Sequence, residues 1–212
     1  MGLLLLAVFT LTGAVPAESA PQQPAVSAPS VPETVWLDDD LPPGAAPEGD
    51  WIWDSSNFAA GTRSHGHPSE KGVHSHGYNM EQPVTIPPGS MITQQVWLDP
   101  KDPPKGISLR FRLSTGEEVG VYWEAEEEVF KPDETQELWY YGPLPELDKW
   151  TTLEVLAEDL GLENGQITGV RFTTYDGRVL WDRTVLTAAP PIEEAQDLLE
   201  EPVGIRPNPG TK

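Results

Sequence analysis

A chain of 212 residues with 34 Asp and Glu against 13 Lys and Arg has a formal charge of −21. Such a surface repels phosphate and gains nothing from counterion release, which excludes nucleic acid and disfavours anionic lipid. The absence of cysteine excludes disulfides, thiolate catalysis and Cys-ligated metal, while 23 Pro and 19 Gly rule out a helical bundle and suit short strands joined by many turns.

In chain order, Leu3 to Val15 is an apolar run followed by Pro16 and the small residues Ala17, Ser19 and Ala20. Residues 1–19 therefore read as a signal peptide or a short membrane anchor, the run being shorter than the about 20 residues that cross a bilayer. Export to the periplasm or the exterior is the expectation, with membrane attachment through residues 1–19 as its variant. Residues 20–33 form a Pro/Ala-rich linker, an extended and semi-stiff spacer. Folded sequence is expected over 34–187. The acidic, Pro-rich tail 188–212 carries Ile192, Ala195, Leu198 and Leu199 at helical spacing, which predicts a short amphipathic helix.

Between these ends, short apolar runs alternate with turn signals. Met91 to Leu98 is the first clear run and closes on Asp99-Pro100. Ile107, Leu109, Phe111 and Leu113 alternate with Ser108, Arg110 and Arg112, a period of two, and Val119, Val121 and Trp123 repeat it. Further runs are Leu138–Tyr141, Trp150–Val155, Ile167–Thr174 and Val179–Val185. The last two are joined by Tyr175-Asp176-Gly177-Arg178, and Asp-Gly is a hairpin signal. Leu156–Leu162 alone reads as a helical turn, ended by Gly161. The pattern predicts an all-β, antiparallel β-sandwich or barrel.

All four histidines fall in one segment: His65, His67, His74 and His76. Residues two apart on a strand face one side, so His74 and His76 could share a transition metal, with His65 as a third ligand. A His-x-His followed by Glu81 also resembles the cupin metal element, but Pro68 stands where that element has Gly, and no later His supplies its fourth ligand. The expectation is instead a partly exposed loop whose imidazoles bond backbone and aromatic neighbours. Asp38-Asp39-Asp40 offers oxygen to calcium without the spacing of an EF-hand loop. Glu124, Glu126, Glu127 and Glu128 could supply a glycosidase carboxylate pair, yet a charge run after a strand reads more simply as a solvated loop. There is no Gly-x-Ser-x-Gly element and no Gly-rich phosphate loop, so the chain is not expected to be an enzyme.

Aromatic residues are the other candidates. Trp53, Tyr122, Trp123, Trp139 and Tyr140 lie in or beside strands, and planar rings stack on the apolar faces of sugars while neighbouring polar groups bond the hydroxyls. In Trp139-Tyr140-Tyr141 alternate residues face opposite sides, so at least one ring is expected outside.

Several motifs recur together: Leu41-Pro42-Pro43-Gly44-Ala45 with Trp51 and Trp53, Ser64-His65, His74-Ser75-His76, and Leu98-Asp99-Pro100 with Pro103-Pro104. Tyr122-Trp123, Gly142-Pro143-Leu144-Pro145 with Trp150, Gly161-Leu162-Glu163, and Tyr175-Asp176-Gly177-Arg178 with Trp181-Asp182 complete the set. Over residues 35 to 186 the chain resembles a bacterial exported module found appended to large proteins. The resemblance implies a galactose-binding-like or jelly-roll sandwich, and by analogy of architecture a carbohydrate-binding role. The expected partner is therefore a polysaccharide, or, given the two low-complexity ends, an envelope protein complex that the chain serves as an accessory subunit.

Overall fold

The computed structural model describes residues 33–125 and 137–188. The leader, nearly all of the linker, the tail helix, and Glu126, Glu127 and Glu128 lie outside the described residues.

Period-two sequence becomes strand throughout. The twelve strands are β1 Glu33–Leu37, β2 Ala46–Glu48, β3 Ile52–Asp54, β4 Ser64–Gly66, β5 Val73–Thr85 and β6 Ser90–Leu98, then β7 Gly106–Leu113, β8 Glu118–Glu124, β9 Glu137–Pro143, β10 Thr151–Leu156, β11 Gln166–Tyr175 and β12 Val179–Ala188. In β6 the odd and even positions separate cleanly: Ser90, Ile92, Gln94, Val96 and Leu98 are buried, and the residues between them are half-buried. A single 3-10 turn, Glu158–Leu160, ends at Gly161 with φ 62°, as its sequence predicts.

Two six-stranded sheets form the sandwich. The first runs β10-β6-β12-β4-β3 with β1 also on β12, and the second runs β2-β5-β11-β7-β8-β9. Ile92, Val96, Leu98, Trp181 and Leu186 from the first meet Leu109, Phe111, Val121, Val170 and Phe172 from the second in one buried cluster. Each such side chain contributes roughly 1.5–3 kcal/mol by leaving water.

Three features depart from the sequence reading. Pairing is antiparallel except at the sheet edge, where β9 runs parallel to β8. The Asp-Gly turn has φ of 55° at Asp176 and 72° at Gly177, the two positive values that a primed turn requires, yet it does not close a hairpin. Its two strands enter different sheets because other partners capture its ends. Tyr175 C=O accepts from Lys105 N–H, Arg178 N–H donates to Asp102 C=O, and Arg178 C=O accepts from Asp99 N–H. A Cβ on Gly177 would lie 2.5 Å from Asp102 O. Gly177→Ala is therefore expected to cost at least about 1–2 kcal/mol, read as a lower urea midpoint at unchanged slope. Third, three of the four histidines lie in strands, His65 in β4 and His74 and His76 in β5, and only His67 lies in the connection between them.

Candidate functional site

The β8–β9 edge sets the disposition of the aromatic candidates. Register pairs Val121 with Trp139 and Tyr122 with Tyr140, so Tyr122 and Tyr140 share the outer face of the second sheet. Their ring centroids are 5.5 Å apart. Tyr140 is 57% exposed, and Trp139 is 53% exposed on the opposite side of the same strand. The alternation read from Trp139-Tyr140-Tyr141 is what places them so.

Two other candidates are corrected. Trp123 is 5% exposed and packs edge-on against Tyr141 at 5.8 Å, because its position on β8 faces the core with Val119 and Val121. Trp53 is half-buried, with Trp51 stacked at 5.5 Å and the Arg63 guanidinium 4.2 Å from its ring centre. Neither ring offers a free platform to a sugar.

Next to the tyrosines on the same outer face lies a polar lattice that sequence reasoning missed. Register lines Glu48, Gly77, Arg171, Arg110 and Gly120 in one row across five strands, and Ser75, Thr173, Ser108, Tyr122 and Tyr140 in the adjoining row. Arg112 bridges Glu48 at 3.2 Å and Glu118 at 2.9 Å, and Arg171 reaches Glu48 at 2.9 Å. Asn79 donates to Glu48 at 2.7 Å. The Arg112 guanidinium, ahead of the Asn79 amide, holds the Glu48 carboxyl below its ordinary range. These half-exposed pairs add little stability each, about 0–1 kcal/mol, but they hold donors and acceptors in fixed positions beside the ring pair. The residues come from β2, β5, β7, β8 and β11, so no local spacing announces them.

The four imidazoles form two pairs. His65 Nδ1 and His76 Nε2 are hydrogen-bonded at 2.9 Å, inside a cluster where Trp51 lies 4.7 Å from His76 and Phe172 lies 4.8 Å from His65. His74 instead faces His67, with ring centroids 4.9 Å apart, and hydrogen-bonds the Gly72 carbonyl. His65, His74 and His76 are thus divided between two neighbourhoods. Among the described residues no three His, Asp or Glu side chains gather on one point. Burial drives the His65 imidazole down to about 3 and holds His76 well below its ordinary value. Both rings act as neutral core aromatics.

No family model matches the chain, and no curated protein matches it. Among solved structures it is similar to carbohydrate-binding modules. One is a family 11 module from Clostridium thermocellum in complex with a β-1,3-1,4-mixed-linked tetrasaccharide, at 12% identity over 76% of this chain and 98% of that one, with a TM-score of 0.49. Another is the CBM22-1 xylan-binding domain of Paenibacillus barcinonensis Xyn10C, at 12% identity over 76% and 99%, TM-score 0.41. A third comes from work on carbohydrate-binding modules of promiscuous specificity in the β-sandwich superfamily. It is 14% identical over 70% of this chain, which spans 58% of that structure, at a TM-score of 0.41.

Proposed function

We propose that the chain is a non-catalytic, exported module that binds a neutral polysaccharide on the outer face of the second sheet. The observation that carries this reading is the Tyr122–Tyr140 ring pair, with Tyr140 more than half exposed, set beside the Glu48–Arg112–Glu118–Arg171 lattice. A ring that stacks on a sugar face next to fixed donors and acceptors is how a protein surface holds a saccharide. Trp139, on the same edge strand, is exposed on its other side and lies off this face. The net charge of −21 selects against polyanionic glycans. Export is supported by the sequence of residues 1–19.

The test is affinity electrophoresis of the whole chain through gels containing xylan, mixed-linked β-glucan, galactan or alginate. Retardation by at least one neutral polysaccharide and none by alginate is expected. Free migration through every neutral gel tried would remove the reading.

A second reading, an accessory subunit of an envelope complex, is favoured by one observation. An apolar cavity of about 230 Å³ opens beside the first strand, lined by Val35, Trp36, Pro42, Pro43, Met80 and Val84 among others. Under that reading native purification recovers the chain with a stoichiometric protein partner, and gels containing sugar leave its mobility unchanged.

A further inference from the structure

One corner of the sandwich is left open. β1 pairs with β12 alone, so among the described residues no strand lies along its other edge. In the second sheet β2 covers β5 only at Gly77, Tyr78 and Asn79, which leaves residues 80–85 bare on that side. The apolar cavity of about 230 Å³ lies between these two edges. Val35 and Trp36 line it from β1, Met80 and Val84 from β5, and Pro42 and Pro43 from the connection that follows β1. Val35 is 47% exposed, and Met80 and Val84 are half-buried. Contiguous apolar surface of this kind marks a place that another element covers.

The chain carries a segment that fits it. The described backbone ends on β12 at Ala188, and the residue before, Thr187, stands opposite Glu33 on β1. Thr34, the next residue of β1, already lines the cavity. Ile192 comes five residues after Thr187, a reach of up to about 16–18 Å. β1 itself lies only about 4.8 Å from β12.

At about 100° per residue, Ile192, Ala195, Leu198 and Leu199 fall within about a third of a helix circumference, and Glu193, Glu194, Asp197, Glu200 and Glu201 occupy the rest. Pro191 suits the first turn of such a helix. A helix of about ten residues is marginal alone in water and gains its stability from what its apolar face packs on. An apolar cavity of about 150 Å³ takes up a group the size of benzene, so one of about 230 Å³ has room for one or two aliphatic side chains. Charge selects the orientation. Glu81 stands at the margin of the cavity in an already acidic domain, so the carboxylates of the helix must turn to solvent, and that same turn points the leucines inward.

We infer that residues 190–201 dock as an amphipathic helix on the β1–β5 seam of their own domain, with the Leu198–Leu199 face seated in the cavity. Tethering through Ala188 gives the segment an effective concentration in the millimolar range, which favours it over a second copy or a free partner. A protein partner at this cavity would have to displace the tail. The seam borders β5 and the tyrosine pair lies on β8 and β9, at the other end of the second sheet, so the inference stands apart from the glycan reading.

The absence of native cysteine makes the test specific. In the full chain, Val35→Cys is combined with Leu198→Cys or Leu199→Cys on the apolar face, or with Asp197→Cys on the acidic one, and each protein is oxidised in dilute solution. A disulfide forms only where the two Cα atoms come within about 7 Å. Docking predicts a bond within one chain that forms at least about tenfold faster from a leucine position than from Asp197. Separately, Leu198→Asp is expected to lower the melting temperature of the otherwise native chain by about 2–6 °C, and Asp197→Asn to leave it unchanged. Neither change touches the sandwich core, and circular dichroism checks that both proteins fold. A disulfide joining two chains would overturn the inference in favour of a second copy. Equal rates from the leucine and aspartate positions, or a melting temperature indifferent to Leu198→Asp, would overturn it as well and leave the cavity to a protein partner. Sugar takes no part in these measurements, so their failure is distinct from that of the glycan reading.

Discussion

Tyr140→Ala is expected to weaken binding to the neutral polysaccharide that retards the native chain by about 30-fold, measured by titration calorimetry with an oligosaccharide of that polymer. The figure follows from about 2 kcal/mol for truncating a central aromatic anchor, with each 1.4 kcal/mol worth a factor of ten. Tyr140 is 57% exposed, so its removal leaves no core cavity and the protein's own stability should hardly change. Trp139→Ala separates the outer face from the edge as the seat of binding. Trp139 points to the other side of β9, and a ligand confined to the outer face should lose less than about threefold when it is truncated. Equal losses from both variants would move the sugar onto the edge itself. Unchanged affinity in Tyr140→Ala would sink the site altogether.

The sequence reading succeeded where one local rule settled the outcome. An apolar run closed by Asp99-Pro100 located β6, alternation located β7 and β8, the run before Gly161 located the 3-10 turn, and Trp139-Tyr140-Tyr141 announced exposed rings. It failed where the outcome depended on partners distant in sequence. Asp176-Gly177 adopts the backbone of a hairpin turn, but the choice of sheet for β11 and β12 is made by the Asp99 to Lys105 segment, which bonds both ends of the turn. Trp123 is a different case: it alternates with Val119 and Val121, so the period of two already set it inside and Tyr122 outside, and its choice as a sugar platform overlooked that local signal. The polar lattice is assembled from residues as far apart as Glu48 and Arg171, each of which looks alone like a surface charge. The histidines misled for a chemical reason. His counts as polar in a pattern, yet an uncharged imidazole is a flat ring that packs like Phe. Read that way, His74, His76, Tyr78 and Met80 show the same period of two as any buried strand.

That chemistry has a large consequence for pH dependence. His65 is fully buried, and its folded value of about 3 lies far below the 6.5 of an exposed imidazole. His76, bonded to it, is lowered by burial first and then by the charges that His65, His67 and His74 would carry. What packs against the pair is Trp51, Trp53 and Phe172, with no carboxylate among these neighbours to compensate a charge. A folded value depressed below the unfolded one means that the unfolded chain binds the proton better. Stability from this source is therefore intact above about pH 6.5 and drains as the pH falls toward 3. At pH 4.5 His65 alone should have removed about 2–3 kcal/mol, the two-unit gap below 6.5 at 1.36 kcal/mol per unit. Asp38 and Asp182, whose values are raised, work in the opposite direction over part of this range and will mask some of the loss. Comparison with a variant removes their contribution. Urea melts of the native chain and of His65→Leu at pH 7 and 4.5 should show a markedly smaller drop in the variant, whatever its starting stability. The same point can be read directly by long-range nitrogen–proton NMR on the folded protein. The His65 ring should stay neutral down to the pH at which the fold is lost, and a native imidazole at this position titrating near 6.5 would show that the pair is not buried as described.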